Sequence, residues 1–396
     1  MTHVTAIATY LPRWGSARHR VTADDEDAIT LAVEAGRGAI GETGVVHRPV
    51  VHRVVLVSRD LPLLEGGNAA VLLAGLGLDP EIEVSEQLGG APAALDAITA
   101  ARPRTLVIGA DVQPAGAGAV LVAETGLEVR PAARLARSLP VRTRDASGAV
   151  RDYGDPRLLR ERGLLASLAA AGAGKPVALA GVDARQAAAL CAGQPPALPT
   201  TGASSVMFAL AALAESRTLG PLLAAEQATV TGVVVDGGTA AVHRTEPAAR
   251  PRPAGTFTPG RDIPVSLAAY DRAFDAKVRW EAARHAGTGE LDFPPRYRVG
   301  QDGALHTDYT LVPLPRTGTV YTGVTVRIPV PGLTTPYSLV IVELDDTGLR
   351  VLARVTGAEP GTTGIGDRGR MVLRRVAVRS GVPDYGYAFC PQEATA

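Results

Sequence analysis

The residue types able to attack a carbonyl, hold a metal or cradle a phosphate are few in this chain. Cysteine is the strongest nucleophile and softest metal ligand a protein has, and there are only two, Cys191 and Cys390. They lie far apart and outside any CxxC pair, which excludes both a disulfide framework and a cysteine zinc cluster. Cys191 sits in AAALCAG, a helical run of small residues where a thiol reads as a buried filler. Cys390 follows YGYAF near the C-terminus and is not expected to be catalytic. The glycine-rich stretches GVVVDGG and GTTGIGD match neither a Walker loop nor a GxGxxG set between strand and helix, so no nucleotide site is expected. Arg374, Arg375 and Arg379 read as one basic face of a C-terminal strand. Such a face on a small barrel can follow single-stranded nucleic acid. With 40 basic residues balanced by 40 acidic ones and only 4% aromatic residues, nucleic-acid binding is not expected.

The elements that would position any chemistry have two textures. From Met1 to about His243, short apolar β-runs alternate with alanine-rich helical stretches. VTAIATYL, VHRVVLVS, RTLVIGAD, AGAVLVAE, PVALAG and ATVTGVVVDG read as strands; AITLAVEAGRGAI, NAAVLLAGLGL and GASSVMFALAALAES read as helices. Thr22, with Asp25 three residues on, resembles an N-cap for the first helix. Strands alternating with crossover helices imply a layered α/β fold, and helices of small residues suit burial between two sheets. HRTEPAARPRPAGTFTPGRDIP then breaks the pattern with proline, glycine and arginine, a linker composition. After it SLAAYDRAFDAKVRWEAARHAG has helical spacing, and GTVYTGVTVRI, YSLVIVELD, LRVLARVTG and GRMVLRRVAVRS read as the strands of a small barrel. The expected division is residues 1–247, a linker over 248–262, and 263–396.

A chain of 396 residues with 46% hydrophobic and 20% charged residues is globular and long enough for two cores. The opening MTHVTAIATYLPRW lacks the layout of a signal peptide, and no apolar run reaches the ~18 residues of a membrane span. A cytoplasmic location without membrane contact is expected.

AIATYLPRW, DDEDAITLAVEA, SRDLPLLEGGNAAVLLAGLGL, SEQLGGAPAALDAI, LVIGADV and GASSVMFALAALAES, in this order, resemble the HMG-CoA synthase branch of the thiolase superfamily. FPPR, LPRTGTVYTGVTVRIPVPGL, PYSLVIVELD, RVLARVTG, IGD and GVPDYGYAF are similar to the OB-fold proteins that accompany thiolases and close over the acyl-CoA channel. The resemblance implies a duplicated α/β/α/β/α thiolase-like layered fold followed by a C-terminal all-β OB-fold barrel. It also implies an acyl-CoA or acyl-carrier thioester as ligand, no other cofactor, and a dimer.

The same resemblance implies a catalytic cysteine, histidine and glutamate, and all three slots have lost them. Leu88 falls in the cysteine slot, Ala180 in the histidine slot and Arg59 in the glutamate slot. A leucine cannot form a thioester, and without imidazole the second acyl group has no proton carrier. Glu86, Asp60 and Asp183 are the nearby substitutes, and an Arg59–Asp60 ion pair is the plainer reading of those two. The four-cysteine zinc ribbon expected ahead of FPPR is reduced to His285, Thr288, Val299 and Asp302, which cannot close a tetrahedral zinc site. His285 with His306 would be the surviving pair, and a metal-free loop is expected.

Three functions stay open: a degenerate subunit partnering an active thiolase-fold enzyme, an acyltransferase of altered mechanism without a cysteine acyl-enzyme, and a binding module for acyl-CoA or acyl-carrier protein. The first is favoured because no polar triad replaces what was lost. Its dimer would be a homodimer or a heterodimer with a thiolase-fold subunit.

Overall fold

The alternating apolar runs of the first half become strands because most carry β-branched residues, and the rest leucine and alanine, on a face that must be covered. The computed structural model describes residues 1–41, 49–64, 66–139, 141–145, 147–172, 174–300 and 303–392. Ten strands share one sheet among the described residues. They are β1 (Thr2–Tyr10), β2 (Arg53–Ser58), β3 (Glu83–Leu88), β4 (Thr105–Val112), β5 (Ala115–Ala123), β6 (Leu127–Ala136), β7 (Ala178–Ala180), β8 (Gly220–Glu226), β9 (Thr229–Val235) and β10 (Ala241–Thr245). The order is β7-β8-β9-β6-β1-β5-β4-β2-β3, with β10 parallel to β1.

The pairings repeat. In the first half β2 runs parallel to β4, β4 antiparallel to β5, and β5 antiparallel to β1. In the second half β7 runs parallel to β8, β8 antiparallel to β9, and β9 antiparallel to β6. Within the sheet path the halves meet where Thr2–Val4 pair with Leu127–Val129. This is the duplication expected from the sequence.

The helices are α1 (Ala28–Ile40), α2 (Asn68–Leu76), α3 (Ala91–Ala100), α4 (Ala166–Ala171), α5 (Ala184–Leu190) and α6 (Ser205–Ser216). Helix α3 touches β2 and β4 of one half and β8 and β9 of the other, and it also touches α6. Helix α6 touches β1, β4, β5, β7 and β10. These two therefore form the middle layer, and α4 and α5 lie on strands of the second half. Only small side chains let a helix approach two sheets at once. APAALDAITA and SVMFALAALAES supply them, with Leu95, Ile98, Leu210 and Leu213 as the larger buried anchors. Burial of such a side chain contributes about 1.5–3 kcal/mol.

The chain separates into two compact units, and they do not follow the sequence simply. The first comprises Met1–Thr22, Leu31–Ala69 and Glu81–Arg250. The second comprises Ala23–Thr30, Ala70–Pro80 and Pro251–Ala396.

The second unit holds α7 (Leu267–Phe274), β11 (Glu281–His285), β12 (Leu291–Asp292), β13 (Arg298–Val299), β14 (Leu305–His306), β15 (Tyr309–Pro313), β16 (Thr317–Val326), β17 (Tyr337–Leu344), β18 (Arg350–Arg354), β19 (Arg368–Arg379) and β20 (Val382–Pro391). The last five form an antiparallel sheet, β18-β17-β16-β19-β20. Val355 bridges Phe389, which brings the two edges together as a small barrel.

Three local expectations are corrected here. Helical spacing over 266–287 predicts one helix, but it ends at Arg279. Trp280 turns the chain with φ 64°, and EAARH becomes β11 between β12 and β15. That unusual conformation is anchored: Trp280 Nε1 donates to Pro315 O at 3.0 Å, and its ring packs on Phe293 and Tyr387 with centroids 4.9 and 4.8 Å away. The cap of α1 is Asp27, not Thr22. Asp27 Oδ1 accepts from the amides of Ile29 and Thr30 at 3.1 and 3.0 Å, and the Asp27 amide donates to Thr30 Oγ1 at 2.8 Å. The arginines of β19 do not form one open basic face. Arg374 is buried and paired with Glu26 at 3.4 Å, Arg375 donates to Asp24 O at 3.0 Å, and Arg379 pairs with Asp384 at 3.2 Å.

Candidate functional site

The C-terminal ends of parallel strands and the N-termini of central helices meet at one place in this topology, where chemistry in open α/β sheets concentrates. Ser58, Leu88 and Ala110 lie in register at the ends of β2, β3 and β4. Ala180 and Ala224 are in register near the ends of β7 and β8. The expected catalytic slots fall on these strand ends.

The residues expected at these slots are held as follows. Leu88 is 72% exposed, and two glycines separate it from α3, whose N-cap is Gly90. Ala180 is fully buried in the apolar core that joins both halves. Arg59 forms no ion pair with Asp60; its Nε faces Glu226 Oε1 at 3.2 Å, and its Nη2 donates to Thr201 O at 3.2 Å.

The weaker candidates hold backbone. Glu86 accepts from Asn68 Nδ2 at 2.6 Å and from the Ala69 amide at 3.1 Å, which fixes the start of α2. Asp60 accepts from the Val112 amide at 3.1 Å at the β4–β5 turn. Asp183 caps α5 in a reciprocal box with Gln186. Cys191 is buried, and that burial pushes its thiol up to about 11, away from thiolate chemistry.

Two carboxylates that sequence reasoning passed over occupy the centre. Glu226, the last residue of β8, accepts from the Gly90 amide through Oε2 at 3.0 Å while Oε1 faces Arg59. It therefore sits on the N-terminus of α3, where the helix dipole favours negative charge. A Cβ at residue 90 would come within 2.5 Å of Glu226 Oε2 and 2.8 Å of Arg59 Nη2, so only glycine admits this pair.

Asp111, near the end of β4, does the same for α6. Its Oδ1 accepts from the Ala203 amide at 2.9 Å, and Oδ2 accepts from the Ser204 amide at 2.9 Å and Ser204 Oγ at 2.5 Å. A Cβ at Gly202 would lie 1.8 Å from Asp111 Oδ1. Burial pushes the Asp111 carboxyl above its ordinary value, against the opposing pull of Ser204, Arg59 and Ala203. The available signal was a single acidic residue ending an otherwise apolar strand, in LVIGADV and LLAAE.

The zinc-ribbon slots are likewise taken up. His285 Nε2 lies 2.9 Å from Asp292 Oδ2 and both side chains are buried. Asp292 is also held by Arg298, through Nε at 2.6 Å and Nη2 at 2.8 Å, and by Arg296 at 3.3 Å. Arg298 also pairs with Glu290. Arg298, and then Arg296 and His285, hold the Asp292 carboxyl well below the usual carboxylate range. Thr288 contacts Glu290, Val299 is exposed on β13, and His306 stands opposite Arg298 in the β13–β14 pair. Asp302 lies outside the described residues. A carboxylate shared by two guanidinium groups and one imidazole does not fit a tetrahedral zinc site, which needs those donors free.

A cavity of about 620 Å³ lies within the second unit, between α7, the β11–β15 strands and the barrel. Trp280, Phe293, Tyr309 and Tyr387 line it, with Arg272 and Lys277.

Residues 311–374 match the family described as "ChsH2, C-terminal OB-fold domain". No curated protein matches the chain in sequence. Among solved structures, the chain is similar to a 3-oxoacyl-(acyl-carrier-protein) synthase III at 18% identity and TM-score 0.43, covering 60% of this chain and 99% of that one. It is similar to the curacin-pathway HMG synthase in complex with holo donor-ACP at 13% identity and TM-score 0.44, covering 59% and 80%. It is also similar to the Ltp2-ChsH2(DUF35) aldolase at 25% identity and TM-score 0.26, covering 35% and 98%. The layered body is carried by the chain's own repeated strand order, and the OB-fold by the matched domain. No helix among the described residues is long and apolar enough to cross a membrane.

Proposed function

We propose that this chain is a catalytically degenerate, HMG-CoA-synthase-like subunit of an acyl-thioester condensing or acyl-transfer system. In this reading it binds an acyl-CoA or acyl-carrier thioester and partners an active thiolase-fold enzyme. One observation carries the proposal: the N-terminus of α3, beside the nucleophile slot, is filled by the Glu226 carboxylate neutralised by Arg59. An acyl-enzyme needs a thiolate there and space for a developing oxyanion. Here the slot residue is Leu88, and the anion-favouring position already holds an anion.

The matched OB-fold domain and the aromatic cavity of the second unit support the ligand half of the reading. Trp280, Phe293 and Tyr387 offer an apolar surface for an acyl chain, and Arg272 offers positive charge for a phosphate-bearing carrier, while Lys277 is paired with Asp384. A large ligand-shaped surface without a nucleophile suits a protein that holds a thioester for another subunit. The chain is read as cytoplasmic.

Intact-mass spectrometry after incubation with acetyl-CoA, together with co-expression with thiolase-fold neighbours of its genome, tests the proposal. No covalent adduct and a co-purifying thiolase-fold partner are expected. An acetyl adduct on any residue, or acyl transfer by the chain alone, overturns it in favour of an acyltransferase of altered mechanism.

A further inference from the structure

The two halves of the body place a carboxylate near the end of equivalent strands, one residue apart in register, and the two are held very differently. Asp111 is buried, with three donors on its oxygens from Ala203 and Ser204. Such a carboxylate cannot leave without stranding two amides and a hydroxyl. Glu226 has one backbone amide and one guanidinium, and the side chains of Glu226 and Arg59 are 27% and 36% exposed. Water already reaches both side chains, and the one group that departure of Glu226 strands is the amide of buried Gly90, which an incoming carboxylate would take up.

We infer that the Gly90 amide and Arg59 form a carboxylate-binding site, and that Glu226 is its internal ligand, closing it to carboxylates from solution. The chemistry is specific in kind. An oxygen lies 3.0 Å from an amide at a helix N-terminus, the other 3.2 Å from a guanidinium nitrogen, and the absence of a side chain at Gly90 leaves room for both. A ligand able to replace Glu226 is a small carboxylate, or the carboxylate end of a larger molecule. Neutral acyl groups have nothing to offer Arg59. The inference deepens the reading of the chain as unreactive at α3 but does not need it, since the site would close against a carboxylate whether or not the protein transfers acyl groups.

Chemical rescue with acetate tests it. In Glu226→Ala, 100 mM sodium acetate is expected to raise the unfolding midpoint of the full chain by about 1 °C over 100 mM sodium chloride, saturably. Wild type, and Glu226→Gln with its space still filled, are expected to respond equally to the two salts. Arg59→Ala/Glu226→Ala is expected to lose the acetate effect. Equal response of Glu226→Ala to acetate and chloride overturns the inference, as does an acetate effect that survives in the double variant. Should Glu226→Ala not fold in chloride, recovery on refolding from urea is the readout. Recovery in acetate alone supports the site, and recovery in neither salt overturns it. Failure here leaves the absence of an acetyl adduct untouched, so the two readings fail separately.

Discussion

Asp111 and Glu226 lie near or at the ends of equivalent strands of the two halves, and each carboxylate rests on the first amides of the other half's central helix. Asp111 of β4 serves α6 through Ala203 and Ser204, and Glu226 of β8 serves α3 through Gly90. The duplicated fold thus ties its halves by a reciprocal pair of charge-to-helix contacts. Burial decides how much each contributes.

Asp111→Ala is expected to cost about 2–4 kcal/mol of stability, because two buried amides and Ser204 Oγ lose their acceptor together. Glu226→Ala is expected to cost about 1 kcal/mol or less, since its pair with Arg59 is partly solvated. Urea unfolding of both variants against wild type measures the difference. Equal losses would show that the two contacts are energetically alike despite their unequal burial.

Replacing Leu88 by cysteine alone is expected to give no acetyl adduct with acetyl-CoA by intact-mass spectrometry. A thiol there would be an exposed group at a strand end, and the start of α3 already carries the Glu226 carboxylate on the Gly90 amide. A nearby carboxylate raises a thiol's pKa rather than lowering it. Members of a catalytic set also act as a unit, and Ala180 and Arg59 remain unchanged. An adduct formed at an enzymatic rate by Leu88→Cys would contradict this.

Much of this architecture was legible in the residues, and the misses have physical reasons. Alternation of apolar strands with small-residue helices marked α6 as buried between sheets, because only small side chains permit that approach; α3 was not read as a helix, its short APAALDAITA following two glycines and carrying a proline. The expected slots at Leu88, Ala180 and Arg59 rest on the resemblance alone; the structure shows only that they fall at or beside strand ends. Glu226 and Asp111 were not legible, since a lone acidic residue after an apolar run looks like any strand end until a distant helix is placed against it. The end of the helix after residue 266 was hidden for a similar reason. EAARH has helical propensity, and its pairing with Tyr309–Pro313 overrides that.

Tyr385→Phe is expected to destabilise the second unit by about 1–2 kcal/mol. Tyr385 Oη donates to Asp27 Oδ2 at 2.8 Å in a buried setting, and Asp27 is also the cap of α1. Burial, and then Asp27, push the phenol far above its ordinary value, so it donates at every pH of interest. Removing it leaves a buried carboxylate oxygen without that donor. Thermal unfolding of the variant reads the loss, and an unchanged midpoint would assign the contact no weight.

The segment Glu281–Pro313 is expected to loosen in acid and to ignore chelators. Asp292 has a depressed pKa in the folded chain, so the stability it contributes is complete above the ordinary carboxylate value of ~3.9 and is lost as pH falls below it. Pepsin cleavage within this segment should rise sharply between about pH 4 and pH 2. In Asp292→Asn the segment should already be open to trypsin at pH 7, since Arg296 and Arg298 lose their shared partner. EDTA should leave wild-type cleavage unchanged, and purified protein should carry no stoichiometric zinc. Protection by added zinc, lost in His285→Ala, would show that the charge network does not replace a metal.

The last expectation concerns self-association. Strand β3 is the outer strand of the ten-stranded sheet; β2 covers one edge of it, and no described strand pairs the other. Its side chains are half-buried or exposed, and it ends in exposed Leu88. An open ladder of amides and carbonyls beside an exposed leucine is a template for a second strand, and natural proteins cover or blunt such edges. Glu83 is paired with Arg53 at 3.2 Å, and Glu86 is turned to Asn68 and Ala69, so neither carboxylate is free to repel an incoming strand. A two-fold partner of the same layered fold, either this chain or an active relative, would continue the sheet through β3. Light scattering at micromolar concentration should therefore give the mass of a dimer. Val84→Pro and Ser85→Pro each remove one ladder amide on the strand; the variant whose amide faces away from β2 should shift the mass toward monomer with little loss of helical signal. A clean wild-type monomer, or a dimer indifferent to both prolines, would place the interface elsewhere or remove it.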